Sequence, residues 1–252
     1  MKVQYYSDLH LEFSSKLGQQ VEISPEANVL VFAGDIHTSP KGLGKFWRRL
    51  RNKTDIPILF VPGNHEFYGH NIDEAIDEYY KICDMNKVTY LPLEPITING
   101  YNFIGNTLYS DLSNPTEAIN VYSGLPDFKV VYKNGHLISI DDWQQMWLKD
   151  VGKLTTKLAN FKDKDELEKT VVVTHFSPSF RLNGTRFQKS LLVYGFHSNL
   201  DHLLELYPPK LWIYGHTHDI VEIEINNCRI RTNPYGYKNE FWLNLKIKIE
   251  DI

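Results

Sequence analysis

Cysteine is nearly absent from this chain of 252 residues: Cys83 and Cys228 are the only two. One pair cannot build a disulfide framework, so the sequence points to a reducing compartment, and a cytoplasmic location is expected. There is no run of about 18 apolar residues of the kind a membrane-spanning helix needs. The first residues, Met1 to Tyr6, enter a strand pattern at once and leave no room for the apolar stretch of a secretory leader. No membrane partner is expected. A strong excess of one charge is also missing: 27 basic side chains against 31 acidic ones give a net charge of −4. That balance offers no general attraction to polyanions. No repeat, low-complexity tract or Pro/Gly/Ser-rich linker divides the chain. With 42% apolar and 23% charged residues, one ordinary globular α/β domain over residues 1–252 is expected.

What the chain does have is a set of metal-ligand side chains in five short clusters: Asp8-Leu9-His10, Gly34-Asp35, Gly63-Asn64-His65-Glu66, Thr174-His175 and Gly215-His216-Thr217-His218. Each follows a short apolar, β-branched or aromatic run of strand character. Ligands on loops beyond several neighbouring strands can converge on one point although they are far apart in sequence. Two divalent ions need about six or seven protein ligands with one carboxylate shared, and two Asp, one Asn and four His have that number. Thiolate is absent from the set, so Mn, Fe or Zn is favoured over a cysteine-type structural zinc. This pattern is that of a metallohydrolase.

The spacing predicts strands over 2–6, 28–33 and 57–61, separated by helices over 43–51 and 72–84, the second capped by Asn71. Short strands are predicted at 88–91, 96–98 and 101–106. A helix starts near 140–143, with Trp143, Met146, Trp147, Val151 and Leu154 as its buried stripe. A strand at 171–173, a helix at 199–206 and strands at 210–214, 220–225, 229–232 and 242–249 complete the pattern. Two packed mixed sheets with helices outside are expected. In the basic segment from Lys41 to Lys53, positions 43, 46, 47 and 50 recur at helical spacing, so the basic residues read as a solvated face rather than a phosphate-binding one.

The ordered string Asp8-x-His10, Gly34-Asp35, Gly63-Asn64-His65-Glu66, His175, Gly215-His216-x-His218 resembles the calcineurin-like metallophosphoesterase superfamily, in particular its compact bacterial and phage members. The resemblance runs from Val3 to His218 and implies a four-layer α/β/β/α sandwich with a dinuclear metal site at strand-end loops. It implies Asp8, His10, Asp35 and His218 on one ion and Asp35, Asn64, His175 and His216 on the other, with Asp35 as the bridge. A hydroxide held between the ions would attack phosphorus, and His65, beside a ligand without being one, would protonate the leaving alkoxide or steady the transition state.

Outside the motifs, Arg181, Asn183 and Arg186 lie in the loop after His175 and are candidates for clamping a phosphate or nucleotide. Tyr68 and the segment Asn233-Pro234-Tyr235-Gly236-Tyr237 offer aromatic faces for a base. His37, His70, His136, His197 and His202 read as ordinary loop or surface residues. The protein Ser/Thr phosphatases of the superfamily continue their second motif with an Asp-Arg-Gly, whereas Asp35 is followed here by Ile36-His37-Thr38. The expectation is therefore hydrolysis of a phosphodiester, on a small or nucleotide-like substrate. A nuclease acting on nucleic acid, a phosphomonoesterase and a non-catalytic scaffold of the same fold are the less favoured alternatives. The oligomeric state does not follow from the sequence.

Overall fold

Alternation of side chains decides how the strands are buried. In the computed structural model, which describes residues 1–13, 17–91, 93–161, 164–237, 240 and 246–252, strands β1 (Lys2–Tyr6), β2 (Val29–Ala33), β3 (Ile58–Val61) and β4 (Thr89–Tyr90) run parallel in that order, with β13 (Ile249–Asp251) antiparallel on the free edge of β1. The second sheet has β5 (Ile96–Ile98), β6 (Tyr101–Asn106), β9 (Thr170–Thr174), β10 (Leu211–Tyr214), β12 (Cys228–Thr232) and β11 (Ile223–Ile225) in spatial order. Its four inner strands are parallel and both edge strands antiparallel. A hairpin of β7 (Tyr132–Lys133) and β8 (His136–Leu137) stands apart.

Parallel strands buried on both faces carry apolar side chains at every position. In β2, Val29, Val31 and Ala33 face the second sheet, while Leu30 and Phe32 face the helices. In β10, Leu211 and Ile213 join the same inter-sheet core, and Trp212 and Tyr214 face the other helix layer. The helices Pro40–Arg51 and Ile72–Met85 cover the first sheet, and Ile140–Asn160 and Asp201–Leu206 cover the second. The expected four layers are present.

Local differences have physical causes. The first of these helices begins at Pro40 rather than at 43, because Ser39 accepts the Gly42 N–H and Pro40 needs no amide partner in the first turn. Its apolar stripe of Leu43, Phe46, Trp47 and Leu50 is buried as the spacing predicts. Arg51 is no phosphate ligand: it donates to the carbonyls of Ile56 and Asn86. The strand expected at 242–249 is corrected at its end: 242–245 lie outside the described residues, 246–248 are not strand, and Ile249–Asp251 pairs with β1 instead. The helix Pro115–Gly124, capped by Asn114 with Pro115 in its first turn, is missed by periodicity because only Ala118 and Val121 are buried.

Where the sheets press together, β6 carries Gly105. A Cβ there would lie 2.6 Å from the Val173 carbonyl oxygen and 2.7 Å from Leu91 Cδ2. Gly105→Ala is expected to cost about 1–3 kcal/mol of stability through overpacking, read as a lower urea midpoint with an unchanged slope.

Candidate metal centre

The parallel strands β1, β2 and β3 of one sheet and β9 and β10 of the other all end on the same side, and every motif follows one of these ends. Asp8 and His10 follow β1, Asp35 follows β2, Asn64 and His65 follow β3, His175 follows β9, and His216 and His218 follow β10. Five of these residues hold positive φ: Asp8 at 54°, His10 at 44°, Asp35 at 56°, His216 at 70° and His218 at 52°. Such backbone costs on the order of 1 kcal/mol or more per residue and persists only where the surroundings enforce it. Glycine serves the same convergence: a Cβ at Gly34 would strike the His175 ring, and one at Gly63 the Asp35 carboxylate.

The side chains that converge form three donor groups: Asp8 with His10 and His218, Asp35 with His175 and His216, and between them His10 with Asp35 and His65. Asp35 Oδ1 lies 3.3 Å from His175 Nε2, while its Oδ2 lies 3.8 Å from His10 Nε2 and 4.0 Å from His65 Nε2. His10 Nε2 and His218 Nε2 approach to 3.0 Å, and His218 Nε2 is 3.4 Å from Asp8 Oδ1. Asn64 turns its Oδ1 to His175 Nε2 at 3.0 Å, because its Nδ2 donates to the Tyr68 hydroxyl.

The outer nitrogens of the rings are held by acceptors. His175 Nδ1 donates to the Ala33 carbonyl at 2.8 Å, His218 Nδ1 to Glu240 at 2.6 Å, and His10 Nδ1 and His65 Nδ1 both to Glu12 Oε1, at 3.3 and 3.1 Å. This is how proteins orient metal-binding imidazoles: the outer acceptor fixes the tautomer and aims Nε2 inward. His216 turns its Nδ1 to His175 Nε2 at 3.2 Å, and among the described residues its Nε2 and Asp8 Oδ2 are buried with no hydrogen-bond partner. Unpartnered buried donors amid hard and borderline ligands fit divalent ions of the Mn, Fe or Zn type.

Protons supply the positive charge that this cluster requires. Burial disfavours charge on His175 and His218, yet the carboxylates of Asp35 and Asp8, joined at His218 by Glu240, outweigh it and raise His175 to about 9 and His218 to about 10. Burial, reinforced by His175, pushes His216 well down. Despite burial, Asp35 stays well below the usual carboxylate range because His175 and His65 lie against it. Cations entering here displace protons from the imidazoles.

Beside the cluster opens a cleft of about 310 Å³, walled by Leu125, Pro126, Leu192 and Phe196 on one side and by His65, Tyr68 and Tyr237 on another. Tyr68 stacks on His65 with centroids 4.2 Å apart, and the Tyr237 hydroxyl lies 3.0 Å from His65 Nε2. Of the three loop candidates, Arg186 lines the cleft, where it is ion-paired with Glu240. Arg181 and Asn183 do not line it; Arg181 is exposed on the short 3-10 helix Phe180–Leu182. Tyr235 packs into the core beside the first sheet. His37 and His70 are engaged with Ser39 and Thr38, as befits loop residues.

Three carboxylates escaped sequence reasoning as site residues. Glu66 stands inside a recognised motif and Glu12 two residues beyond another, and neither has a ligand role there. Glu240 lies 22 positions beyond the histidine it holds, with no local signal. Glu66, fully buried, accepts the backbone N–H groups of Asp35, Ile36, His37 and Gly63 at 2.6 to 3.0 Å. Burial and then the Asp35 charge push its carboxyl up to about 7 against those donors.

Residues 1–219 match the family model for calcineurin-like phosphoesterases. The chain belongs to that family. An uncharacterised protein of Acanthamoeba polyphaga mimivirus is 28% identical to this calcineurin-like phosphoesterase over 265 residues, covering 94% of this chain and 92% of that one. Among solved structures, a phosphopantetheinyl hydrolase from Mycobacterium tuberculosis superposes at a TM-score of 0.74 and 17% identity, over 95% of this chain and 93% of that one. That likeness shows the shared fold. Metal-dependent phosphoester hydrolysis is the chemistry of the family, and the donor groups described above suit it.

Glu66→Gln replaces a two-oxygen acceptor by one oxygen and an amide that donates, leaving two of the four backbone N–H groups unpaired whichever oxygen is lost. A loss of about 3 kcal/mol in unfolding free energy is expected, together with weaker metal retention on dialysis against a chelator.

Proposed function

We propose that this chain hydrolyses a phosphodiester of a small or nucleotide-like substrate, with Asp8, His10, Asp35 and His218 around one divalent ion and Asp35, Asn64, His175 and His216 around a second. Asp35 supports this reading most directly: one of its oxygens faces His175 and the other faces His10, so a single carboxylate lies between the two donor groups. When bound, divalent ions supply positive charge to the phosphoryl oxygens and acidify a water for attack on phosphorus. The protein's own share is placement and proton handling. Asn64 presents its carbonyl oxygen beside His175, and Glu12 and Glu240 keep His10 and His218 in the inward-facing tautomer.

His65 is the proposed proton donor. Its Nδ1 is tied to Glu12, its ring is clamped against Tyr68, and its Nε2 opens onto the cleft, where the Tyr237 hydroxyl marks the place of an oxygen partner. Burial opposes a charged ring, but the charges of Asp35 and Glu12 outweigh it and raise the pKa, in the direction a proton donor needs.

Preference for a diester rests on the shortage of free cations among the described residues that line the cleft. No arginine follows Asp35 in the second motif, and the lining guanidinium of Arg186 is taken up by Glu240. A dianionic monoester needs more positive charge than a monoanionic diester. The cleft volume and its apolar wall suit a small ester. Residues 220–252, beyond the family match, contribute β11, β12 and β13 to both sheets, which supports a single domain over 1–252. The two free, buried cysteines accord with a cytoplasmic setting.

Steady-state kinetics with Mn at neutral pH test the substrate class: turnover of an aryl phosphodiester should exceed that of the corresponding monoester, and a strong monoester preference reverses the assignment. His65→Ala should keep its metal while turnover falls by roughly 10² to 10⁴. That defect is expected to be large for an alkoxide leaving group and small for 4-nitrophenolate, which departs unprotonated. A rate ratio that stays flat across leaving groups of different pKa excludes His65 as the donor.

A further inference from the structure

A second cavity, about 620 Å³ against about 310 Å³ for the metal cleft, opens between the helices Ile72–Met85 and Ile140–Asn160, past the ends of β3, β4 and β6. The two share no lining residue. Strand ends in parallel sheets are common places for ligands, and this volume is that of a metabolite site. The walls are mostly apolar, with Phe67, Ile72, Leu91, Leu93 and Met146 contributing and Ile76 exposed at the rim.

Three features are hard to explain as packing. First, Gly152 sits well inside a helix of 21 residues, where glycine costs about 1 kcal/mol relative to alanine. A Cβ there would meet nothing within 4 Å and its backbone is not left-handed, so neither crowding nor conformation calls for glycine; what the missing side chain leaves is open space on the cavity wall. Second, Asn106 lines the cavity with both amide atoms buried and, among the described residues, without a hydrogen-bond partner, an arrangement that costs free energy until something pairs with it. Third, Lys149, Lys153 and Lys157 follow one another at helical spacing along the wall, with Lys133 also lining it. Lys157 pairs with Glu94 and Lys133 with Asp73, whereas among the described residues Lys149 and Lys153 have no ion pair. Asp150 also lines the cavity, accepting the Leu108 N–H at 3.3 Å. The four lysines outnumber the acids Asp73, Glu94 and Asp150 by one, in a chain whose net charge is −4.

We propose that this cavity is a ligand site separate from the metal centre, and that it takes an amphipathic organic monoanion of metabolite size. The apolar body lies against Ile72, Leu91 and Met146, a polar group on it pairs with the Asn106 amide, and the anionic end meets Lys149 and Lys153. A long polyanion is excluded by the carboxylates at the rim, and a purely apolar ligand would leave Asn106 unpaired.

The probe is 8-anilinonaphthalene-1-sulfonate, which combines aromatic rings, an N–H and one sulfonate, titrated into the full-length Mn-loaded protein by fluorescence and calorimetry. Saturable binding of one probe per chain is expected, and inorganic phosphate, which addresses the metal cleft, should not displace it. Gly152→Trp, at a position open enough to accept the ring, should weaken binding by at least about tenfold by filling the cavity. Ile76→Trp from the opposite helix should do the same, so a folding defect in one variant does not decide the matter. The pair Lys149→Glu and Lys153→Glu should weaken it about fivefold, the scale of two exposed charge contacts. Absence of saturation, displacement by phosphate, or wild-type affinity in either folded tryptophan variant overturns the proposal.

Discussion

Seven carboxylate, amide and imidazole groups are gathered where water is scarce, and the free-energy cost of burying charge governs the rest of this architecture. The interaction that makes the gathering possible is the buried Glu66 carboxylate, which accepts four backbone N–H groups from the loops after β2 and β3. It fixes the turn that carries Asp35 against the turn that carries Asn64 and His65. Asp35 in turn accepts the His65 N–H at 2.9 Å. One carboxylate organises backbone so that the next can gather the candidate ligands.

The same economy appears around the rings. Each outer acceptor sits where the strand ends leave one available: a strand carbonyl for His175, and Glu12 and Glu240 for the others. Glu12 serves His10 and His65 with a single oxygen, which links the metal-side imidazole to the proposed proton donor. Both Glu12 and Glu240 are held at about 2, because the imidazoles they accept from outweigh their burial.

Much of this was legible in the sequence, for identifiable reasons. Parallel strands buried on both faces announce themselves as apolar runs, and candidate ligands placed directly after them need no long-range information to be found. Asp8, Asp35 and His175 are of this kind. Contacts made across sequence distance were not legible. Glu240 reaches His218 and Arg186 from a segment with no periodic pattern, and Tyr237 arrives beside His65 because residues 235 and 236 bond to the backbone of Ser7 and Asp8. The helix Pro115–Gly124 has good caps but too narrow an apolar stripe to register. The wide cavity behind the strand ends depends on the spacing of two helices, a quantity that no local pattern encodes.

The left-handed backbone at Asp8, His10, Asp35, His216 and His218 narrows what evolution can do with this protein. Apart from glycine, the residues that tolerate that region best are Asn, Asp and His, and among side chains these are also short-armed ligands for hard and borderline cations. Two independent filters, one conformational and one chemical, therefore select nearly the same few amino acids at five positions. Glutamate satisfies the chemistry and fails the backbone, while glycine satisfies the backbone and fails the chemistry. Drift at these sites has almost no intermediate steps open to it, so the neighbouring walls and loops are where descendants of this chain can diverge in what they bind.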